Sequence, residues 1–201
     1  MMDLLSNLEG SNILPEKGEV TYYPEFFNPS LSDIFLQRLK QEIDWKQEPI
    51  WMFGRQVMQP RLTALYGNPE VTYGYSGIQM QALPWNEVLL EIKNEIEKVS
   101  QAQFTHVLMN YYRNGQDSMG WHRDNEPELG LNPIIGSLSF GTPRNFQFRL
   151  YHDKTVKREI HLGHGSFLLM AGETQHYWEH QIPKSKKVHG PRINLTFRRI
   201  L

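Results

Sequence analysis

The sequence has 201 residues, a formal net charge of −1 and no cysteine. This length is enough for one sizeable hydrophobic core and requires no more than one compact domain. The lack of cysteine excludes disulfides, thiolate metal sites and thiol nucleophiles, so histidine and carboxylate side chains remain as metal ligands.

The apolar runs and the net charge of the sequence indicate where the protein is located in the cell and what it binds. No apolar run approaches the roughly 18 residues that a membrane-spanning helix needs, and the first residues lack the features of a secretory signal. We therefore predict a soluble monomer, cytoplasmic or, in a eukaryote, nuclear, with no membrane partner. A net charge near zero offers no global attraction for nucleic acid, so such binding would need local basic patches. The candidate patches are Lys184, Lys186, Lys187, His189 and Arg192 in one stretch and Arg55 with Arg61 in another.

The first half of the chain predicts a loose arm followed by two helices. Residues 1–20 mix polar and apolar types without a clear period, which is typical of a loosely attached arm. A helix is predicted from Pro29, with Asn28 or Ser30 as its cap, because apolar residues then recur at helical spacing. A second helix with one apolar stripe is predicted from Pro84. Both stripes are typical of helix faces that pack on a sheet, so no function is assigned to them.

Beyond residue 104, short segments rich in β-branched and aromatic residues alternate with Gly, Pro and Asn, a pattern that predicts strands. The predicted strands cover 104–112, 134–140, 145–151, 157–162, 166–170 and 191–199. These strands predict an antiparallel barrel or sandwich, so the predicted fold class is mainly β with flanking helices.

The segment from 192 to 198 alternates strictly between polar and apolar residues. Because the side chains of a strand alternate between its two faces, Arg192, Asn194, Thr196 and Arg198 share one face. That face points either to solvent or into an internal cavity. Two arginines that face a cavity would need an anion there.

The tripeptide His122-Arg123-Asp124 is the sharpest local feature. In an extended segment His122 and Asp124 project to the same side and can share a metal ion. The 2-His-1-carboxylate arrangement, which holds iron(II) in oxygenases, then needs one downstream histidine. We favour His180 and keep His176 as the alternative ligand.

Such a triad leaves coordination positions open for a 2-oxo acid and dioxygen, and the bound acid needs a counter-charge. Arg192 and Arg198 suit this role, because a guanidinium holds a carboxylate with two parallel hydrogen bonds and stays charged when partly buried. Asn110 and Tyr112 share one face of another predicted strand, where they would complete the co-substrate pocket. Two surface arginines on an edge strand remain the alternative.

In order along the chain, these motifs resemble the signature of the AlkB dioxygenases. They are Asn110-x-Tyr112, His122-x-Asp124, His180 and Arg192-x-Asn194-x-Thr196-x-Arg198. The details are closer to the animal members that repair DNA than to the founding bacterial enzyme. The resemblance implies one dioxygenase domain over residues 21–201 with a double-stranded β-helix, or jelly-roll, core. It also implies iron(II) on His122, Asp124 and His180, and 2-oxoglutarate held by the two arginines with Asn110, Tyr112, Asn194 and Thr196.

The reaction that the resemblance implies is oxidative demethylation of N1-methyladenine and N3-methylcytosine in DNA, with release of succinate and formaldehyde. An alkylated base must leave the stack to be oxidised, and residues 50–77 resemble the family's nucleotide-recognition hairpin and lid. The implied substrate contacts are Phe53 as an inserted finger, Arg61 beside the backbone, Tyr73, Tyr75 and Ser76 in the lid, and Glu126 near the base.

Two other functions stay open at this point. The triad and the arginines would serve equally well in an oxygenase that acts on RNA, on a protein or on a small molecule. The second is a jelly-roll protein that binds metal or nucleic acid without catalysis. Such a protein would have no need for all three ligands together with both arginines.

Overall fold

The computed structural model describes residues 11–52, 54–68, 72–75 and 78–201, which form three α-helices and fourteen strands. The helices are α1 (Pro29–Glu42), α2 (Glu87–Ser100) and α3 (Thr174–Tyr177). Strands β1 to β6 span Glu19–Tyr23, Pro49–Met52, Arg55–Met58, Leu62–Gly67, Thr72–Tyr75 and Ile78–Gln81. Strands β7 to β14 span His106–Tyr112, Met119–His122, Ile135–Gly141, Arg144–Leu150, Lys157–Leu162, Ser166–Ala171, Trp178–Ile182 and Arg192–Arg198.

Two antiparallel sheets dominate the fold. The larger sheet has the strand order β1-β12-β9-β14-β7-β4, and the smaller one has the order β11-β10-β13-β8. The hairpins β2–β3 and β5–β6 each form a separate two-stranded sheet. The predicted fold class, mainly β with antiparallel sheets and flanking helices, is confirmed.

Helix α1 begins at Pro29, as the sequence predicts. The Asn28 side chain accepts a hydrogen bond from the backbone N–H of Leu31 at 2.9 Å, which caps the first turn. Apolar residues of α1 and α2 pack with the larger sheet in one hydrophobic core. Within the described ranges, no helix combines the length and the apolar character needed to cross a membrane.

Helix α2 begins at Glu87, three residues after the predicted start at Pro84. The Asn86 side chain caps it by accepting a hydrogen bond from the N–H of Leu89 at 3.1 Å. Just before Pro84, the backbone of Leu83 is still hydrogen-bonded to β4. The helix therefore starts only after this pairing ends.

The segment before β1 is attached more firmly than the predicted loose arm over 1–20. Residues 1–10 lie outside the described residues, so that part of the prediction stays open. In the remainder, Leu14 is buried in the core between the sheets. The carbonyl of Glu16 accepts a hydrogen bond from the indole N–H of Trp178 at 3.0 Å. These contacts make the remainder part of the folded domain.

The six strands predicted beyond residue 104 correspond to β7, β9, β10, β11, β12 and β14, each with both ends within two residues. The pattern does not indicate β1, β4, β8 and β13. In β13, Trp178, His180 and Ile182 are buried, whereas Glu179 and Gln181 are partly exposed. A histidine at a buried position breaks the apolar alternation on which strand prediction depends.

Strand β14 lies inside the larger sheet, between β9 and β7. Ile193, Leu195 and Phe197 are fully buried in the core that the sheet shares with the helices. The polar residues that alternate with them are buried too, with exposed fractions between 2% and 8%. Both faces of the strand therefore lie inside the protein, which excludes the alternative of two surface arginines.

Replacement of Leu195 by alanine tests this two-sided burial. Because the side chain is fully buried, we expect Leu195→Ala to lower the free energy of unfolding by about 2–5 kcal/mol through lost transfer energy and a residual cavity. Leu201→Ala is the matched control, because Leu201 is 74% exposed and the same truncation there should change stability by less than about 0.5 kcal/mol. Equal losses for the two variants in urea denaturation would contradict the burial of β14.

Candidate metal centre and anion pocket

Two neighbouring strands of the smaller sheet bring three candidate metal ligands together. His122 ends β8, Asp124 follows shortly after it, and His180 lies in β13 directly opposite His122 in the antiparallel register. One ligand atom from each of the three residues lies within 4.8 Å of the other two. Two imidazoles and one carboxylate form the donor set that holds iron(II) in oxygenases. The alternative ligand, His176, lies on α3 outside this cluster.

The protonation states of the two histidines suit metal binding. The Nδ1 atom of His122 lies 2.9 Å from the carbonyl oxygen of Gly120, so a proton on Nδ1 leaves Nε2 as the ligand atom. Desolvation of the partly buried ring lowers the pKa of His122, although Asp124 opposes the shift. Burial, together with His122, lowers the pKa of His180 to about 3. Both imidazoles are therefore neutral at physiological pH, which is the form that binds a metal.

The carboxylate of Asp124 is buried and paired. One of its oxygens accepts a hydrogen bond from Nη2 of Arg198 at 2.6 Å. Burial raises the pKa of Asp124, but Arg198, His180 and His122 together outweigh that effect, so the pKa lies below its ordinary value. The carboxylate is therefore ionised and held in place.

The three candidate ligands border a small, partly enclosed cavity of about 30 Å³. All six residues predicted to hold the co-substrate line it, namely Asn110, Tyr112, Arg192, Asn194, Thr196 and Arg198. The rest of the lining is mainly apolar and comprises Leu108, Met119, Ser137, Phe146, Met170 and Ile182. The cavity therefore brings the candidate metal ligands and the candidate carboxylate-binding groups together.

Two donors of the Arg192 guanidinium have no hydrogen-bond partner among the described residues. The residue is 2% exposed, and its Nη2 donates to the Ser139 hydroxyl at 2.9 Å. Its Nε and Nη1 are buried without an acceptor among the described residues, which is costly for a charged group. Burial lowers the pKa of Arg192 to about 10, although Tyr112, whose ring lies 5.2 Å away, opposes the shift. A carboxylate in the cavity would satisfy both donors.

Two serines of β9, of which Ser137 lines the cavity, bond the polar residues of β14 and are not among the residues predicted from the sequence. Ser139 accepts from Arg192, and Ser137 accepts a hydrogen bond from the side-chain amide of Asn194 at 2.9 Å. The alternation of polar and apolar residues along β9 would have predicted them, because the two serines flank the buried Leu138. The polar residues of β14 are spaced in the same way.

The residues predicted to contact nucleic acid are only partly described. Phe53 and Ser76 lie outside the described residues. Tyr73 and Tyr75 belong to β5, which pairs with β6 as a hairpin, but their side chains also lie outside the description. Glu126 is partly buried and occupies the N-cap position of the short 3₁₀ turn Pro127–Leu129, which follows the segment with two candidate ligands. Their roles stay predictions.

Arg61 has a different position from the one expected of a residue beside the nucleic-acid backbone. Only 4% of it is exposed. Its Nε donates to the side-chain oxygen of Asn110 at 2.6 Å, and its Nη1 donates to the carbonyl of Ser118 at 3.2 Å. Because Asn110 lines the cavity, this guanidinium stabilises the cavity wall and does not lie on the surface where a phosphate would meet it.

Comparison with known proteins identifies the family. The 2OG-Fe(II) oxygenase superfamily matches residues 19–198. Alpha-ketoglutarate-dependent dioxygenase alkB homolog 3 of Homo sapiens is 42% identical over 190 residues, which cover 90% of this chain and 66% of the relative. DNA oxidative demethylase ALKBH2 of Homo sapiens is 37% identical over 190 residues, which cover 89% of this chain and 72% of the relative. The chain belongs to the AlkB family of 2OG-Fe(II) oxygenases.

A solved structure of similar fold and the family itself indicate the fold and the cofactors of this chain. The solved structure of OsALKBH1 matches with a TM-score of 0.63 at 19% identity, over 90% of this chain and 97% of that chain. The predicted jelly-roll core of this AlkB-family chain is thereby confirmed. The chain spans 66% of the length of human alkB homolog 3. The cofactors of the family are iron(II) and 2-oxoglutarate, with dioxygen as the oxidant, as predicted. The His122, Asp124 and His180 donor set and the unsatisfied donors of Arg192 fit these groups.

Acidification should destabilise the metal-free protein through its buried histidines. The pKa of His180 falls from 6.5 to about 3 on folding, so the unfolded chain binds the extra proton and stability declines as the pH drops below 6.5. His180→Gln should make the decline between pH 6.5 and about 4 shallower, because glutamine does not titrate. Thermal unfolding midpoints measured across this range give the slopes. Identical slopes for the wild type and His180→Gln would contradict a buried neutral imidazole at this position.

Proposed function

We propose that this protein restores N1-methyladenine and N3-methylcytosine in DNA by oxidative demethylation. The proposal is carried by one observation, that three candidate metal ligands share one cavity with a buried arginine, two of whose donors lack an acceptor among the described residues. The relative named DNA oxidative demethylase ALKBH2, which is 37% identical to this chain, supports nucleic acid as the substrate class.

In the proposed reaction, one oxygen atom of dioxygen ends in succinate as 2-oxoglutarate loses carbon dioxide, and the other enters a C–H bond of the N-methyl group. The hydroxymethyl product then breaks its C–N bond and releases formaldehyde, which leaves the base intact. Iron(II), when bound, supplies the oxidising chemistry and would be held by His122, Asp124 and His180. The remaining tasks of binding, orientation and water exclusion fall to the protein's other side chains.

The two arginines of β14 would divide the recognition of 2-oxoglutarate. Arg198 donates to the candidate metal ligand Asp124 at 2.6 Å, so it lies at the metal end of the cavity and would meet the oxo-acid end of the co-substrate. Arg192 lies at the other end of the same strand, beside Tyr112, and its Nε and Nη1 would hold the distal carboxylate. This division turns the reacting end of 2-oxoglutarate toward the metal ligands.

The apolar part of the lining would keep bulk water from the reacting atoms. Leu108, Met170 and Ile182 are all buried and border the cavity. Hydrogen bonds and ion pairs are stronger in a site without bulk water.

A base reaches such a cavity only after it has left the helical stack. A methylated base that pairs poorly costs less to extrude than an intact one, which favours N1-methyladenine and N3-methylcytosine as substrates. Residues 50–77 would then cover the flipped base, and an apolar wedge would fill the gap in the stack. The proposed contacts are Tyr73, Tyr75 and Ser76 in the lid, Phe53 as the wedge and Glu126 beside the base.

Product release from oligonucleotides tests the proposed function. Formaldehyde and succinate are measured from single-stranded DNA, duplex DNA and RNA that contain N1-methyladenine, with iron(II), 2-oxoglutarate and ascorbate under air. Equal amounts of the two products from DNA are expected. Succinate without formaldehyde would reject the substrate and retain the oxygenase, whereas neither product from iron-loaded protein would reject the enzyme.

His122→Ala should abolish formaldehyde release, because the triad loses a ligand. The loss should exceed the roughly 10–100-fold effect that is typical when only a hydrogen-bond partner of a metal ligand is removed. His152→Ala is the matched control, since His152 is exposed and lies outside the candidate cluster. Full activity of His122→Ala would show that the ligand assignment is wrong.

Arg192→Met should raise the KM for 2-oxoglutarate by about 30-fold or more. This factor corresponds to the roughly 2 kcal/mol or more that truncating one partner of a buried charge pair costs. Arg199→Met is the matched control, because Arg199 is exposed just beyond the end of the same strand. Initial rates at varied 2-oxoglutarate give the KM, and an unchanged KM for Arg192→Met would contradict its role as the carboxylate anchor.

A further inference from the structure

The side chain of Gln175 connects two segments of the candidate metal site. Gln175 lies on α3 and is fully buried. Its Oε1 accepts a hydrogen bond from the backbone N–H of Asp124 at 3.0 Å, and its Nε2 donates to the Sδ of Met170 at 3.6 Å. One end of the amide thus holds a segment that carries two candidate ligands, and the other end holds a thioether that lines the cavity.

The contact with Asp124 matters because this residue lies beyond the sheet. Strand β8 ends at His122, so the ladder of strand hydrogen bonds stops before the N–H of Asp124. Gln175, which is 51 residues away in the sequence, supplies the acceptor. A buried N–H without an acceptor is unfavourable, so the amide favours the backbone conformation in which the Asp124 carboxylate approaches His122 and His180.

Helix α3 has a second link to the same segment. Arg123, which lies between the two candidate ligands of that segment, donates from its Nη1 to the carbonyl of His176 at 3.0 Å. The chain then runs from α3 directly into β13, which carries His180. The Arg123 link does not involve the Gln175 side chain, so a substitution at Gln175 removes one of the two links between α3 and this segment.

We propose that Gln175 is a positioning residue that presets Asp124 for ligation and thereby raises the affinity for the metal. This inference rests on the proposed site formed by His122, Asp124 and His180. Hydrogen-bond partners of metal ligands typically contribute about 10–100-fold to metal affinity. Loss of the Gln175 amide should therefore weaken metal binding by a factor in this range.

Cobalt(II) binding to the metal-free protein tests this role without turnover. Gln175→Met keeps the volume and removes the amide, whereas Gln175→Asn keeps an amide and retracts it from Asp124. Both should weaken Co(II) binding, followed by visible absorption, by about 10-fold or more, and both should alter the spectrum, which reports ligand geometry. Gln41→Met is the matched control, because Gln41 is exposed on α1, and the same substitution there should leave Co(II) affinity near the wild-type value. Urea unfolding of each metal-free variant separates folding from binding.

The outcomes distinguish the positioning role from the site itself. Wild-type affinity and spectrum in both Gln175 variants, with binding weakened in His122→Ala, would overturn the positioning role and leave the metal site standing. Unchanged affinity in His122→Ala would overturn the site and the inference with it. Reduced stability of the Gln175 variants without reduced Co(II) affinity would make Gln175 a structural residue only, which also overturns the proposal. If Gln175→Met does not fold, Gln175→Asn carries the comparison.

Discussion

A buried ion pair joins the two sheets where the candidate ligands meet. Arg198 comes from β14 of the larger sheet, and Asp124 follows β8 of the smaller one. Their side chains are no more than 4% exposed, and Nη2 lies 2.6 Å from Oδ1. Removing either partner would leave the other charge buried and unpaired, which is strongly unfavourable. The pair therefore holds the carboxylate ionised and fixes how the sheets approach each other at the site.

Strand β14 separates two buried regions, one of them an apolar core and the other a polar cavity. Its pairing with β7 on one side and β9 on the other satisfies the backbone. One face, with Leu195 in the middle, packs in the apolar core with the helices, and the other face places two arginines in the cavity. The apolar face helps to offset the cost of the polar one. The donors of Arg192 that lack an acceptor among the described residues are the kind of local cost that proteins retain at functional sites.

Those parts of the site that lie on a single strand are predictable from the sequence. The period of two along β14 places Arg192 and Arg198 on one face. The close spacing of His122 and Asp124 likewise predicts that they lie near each other, although β8 ends at His122 and Asp124 lies just beyond it. The meeting of His180 with His122 depends on the register between β13 and β8, which no local pattern encodes. The place of His180 shortly before β14 and the family resemblance favour it over His176 as the third ligand.

Gln175 and Arg61 show where prediction from the sequence ends. Each acts on a distant segment, Gln175 through the N–H of Asp124 and Arg61 through Asn110 and the carbonyl of Ser118. Neither residue belongs to a periodic pattern that would reveal its partner. Arginine is exposed in most proteins, so Arg61 is naturally read as a surface cation until its burial is known.

In the proposed function, one cavity binds iron(II) and 2-oxoglutarate together. The most direct measurement is anaerobic visible absorption of the iron(II)-loaded protein during titration with 2-oxoglutarate. The structure predicts a new charge-transfer band that saturates at one equivalent, because the chelating acid and the His122, Asp124 and His180 ligands would share the metal. No band, with iron(II) and 2-oxoglutarate both shown to be bound, would mean that the two occupy separate sites and would contradict the claim.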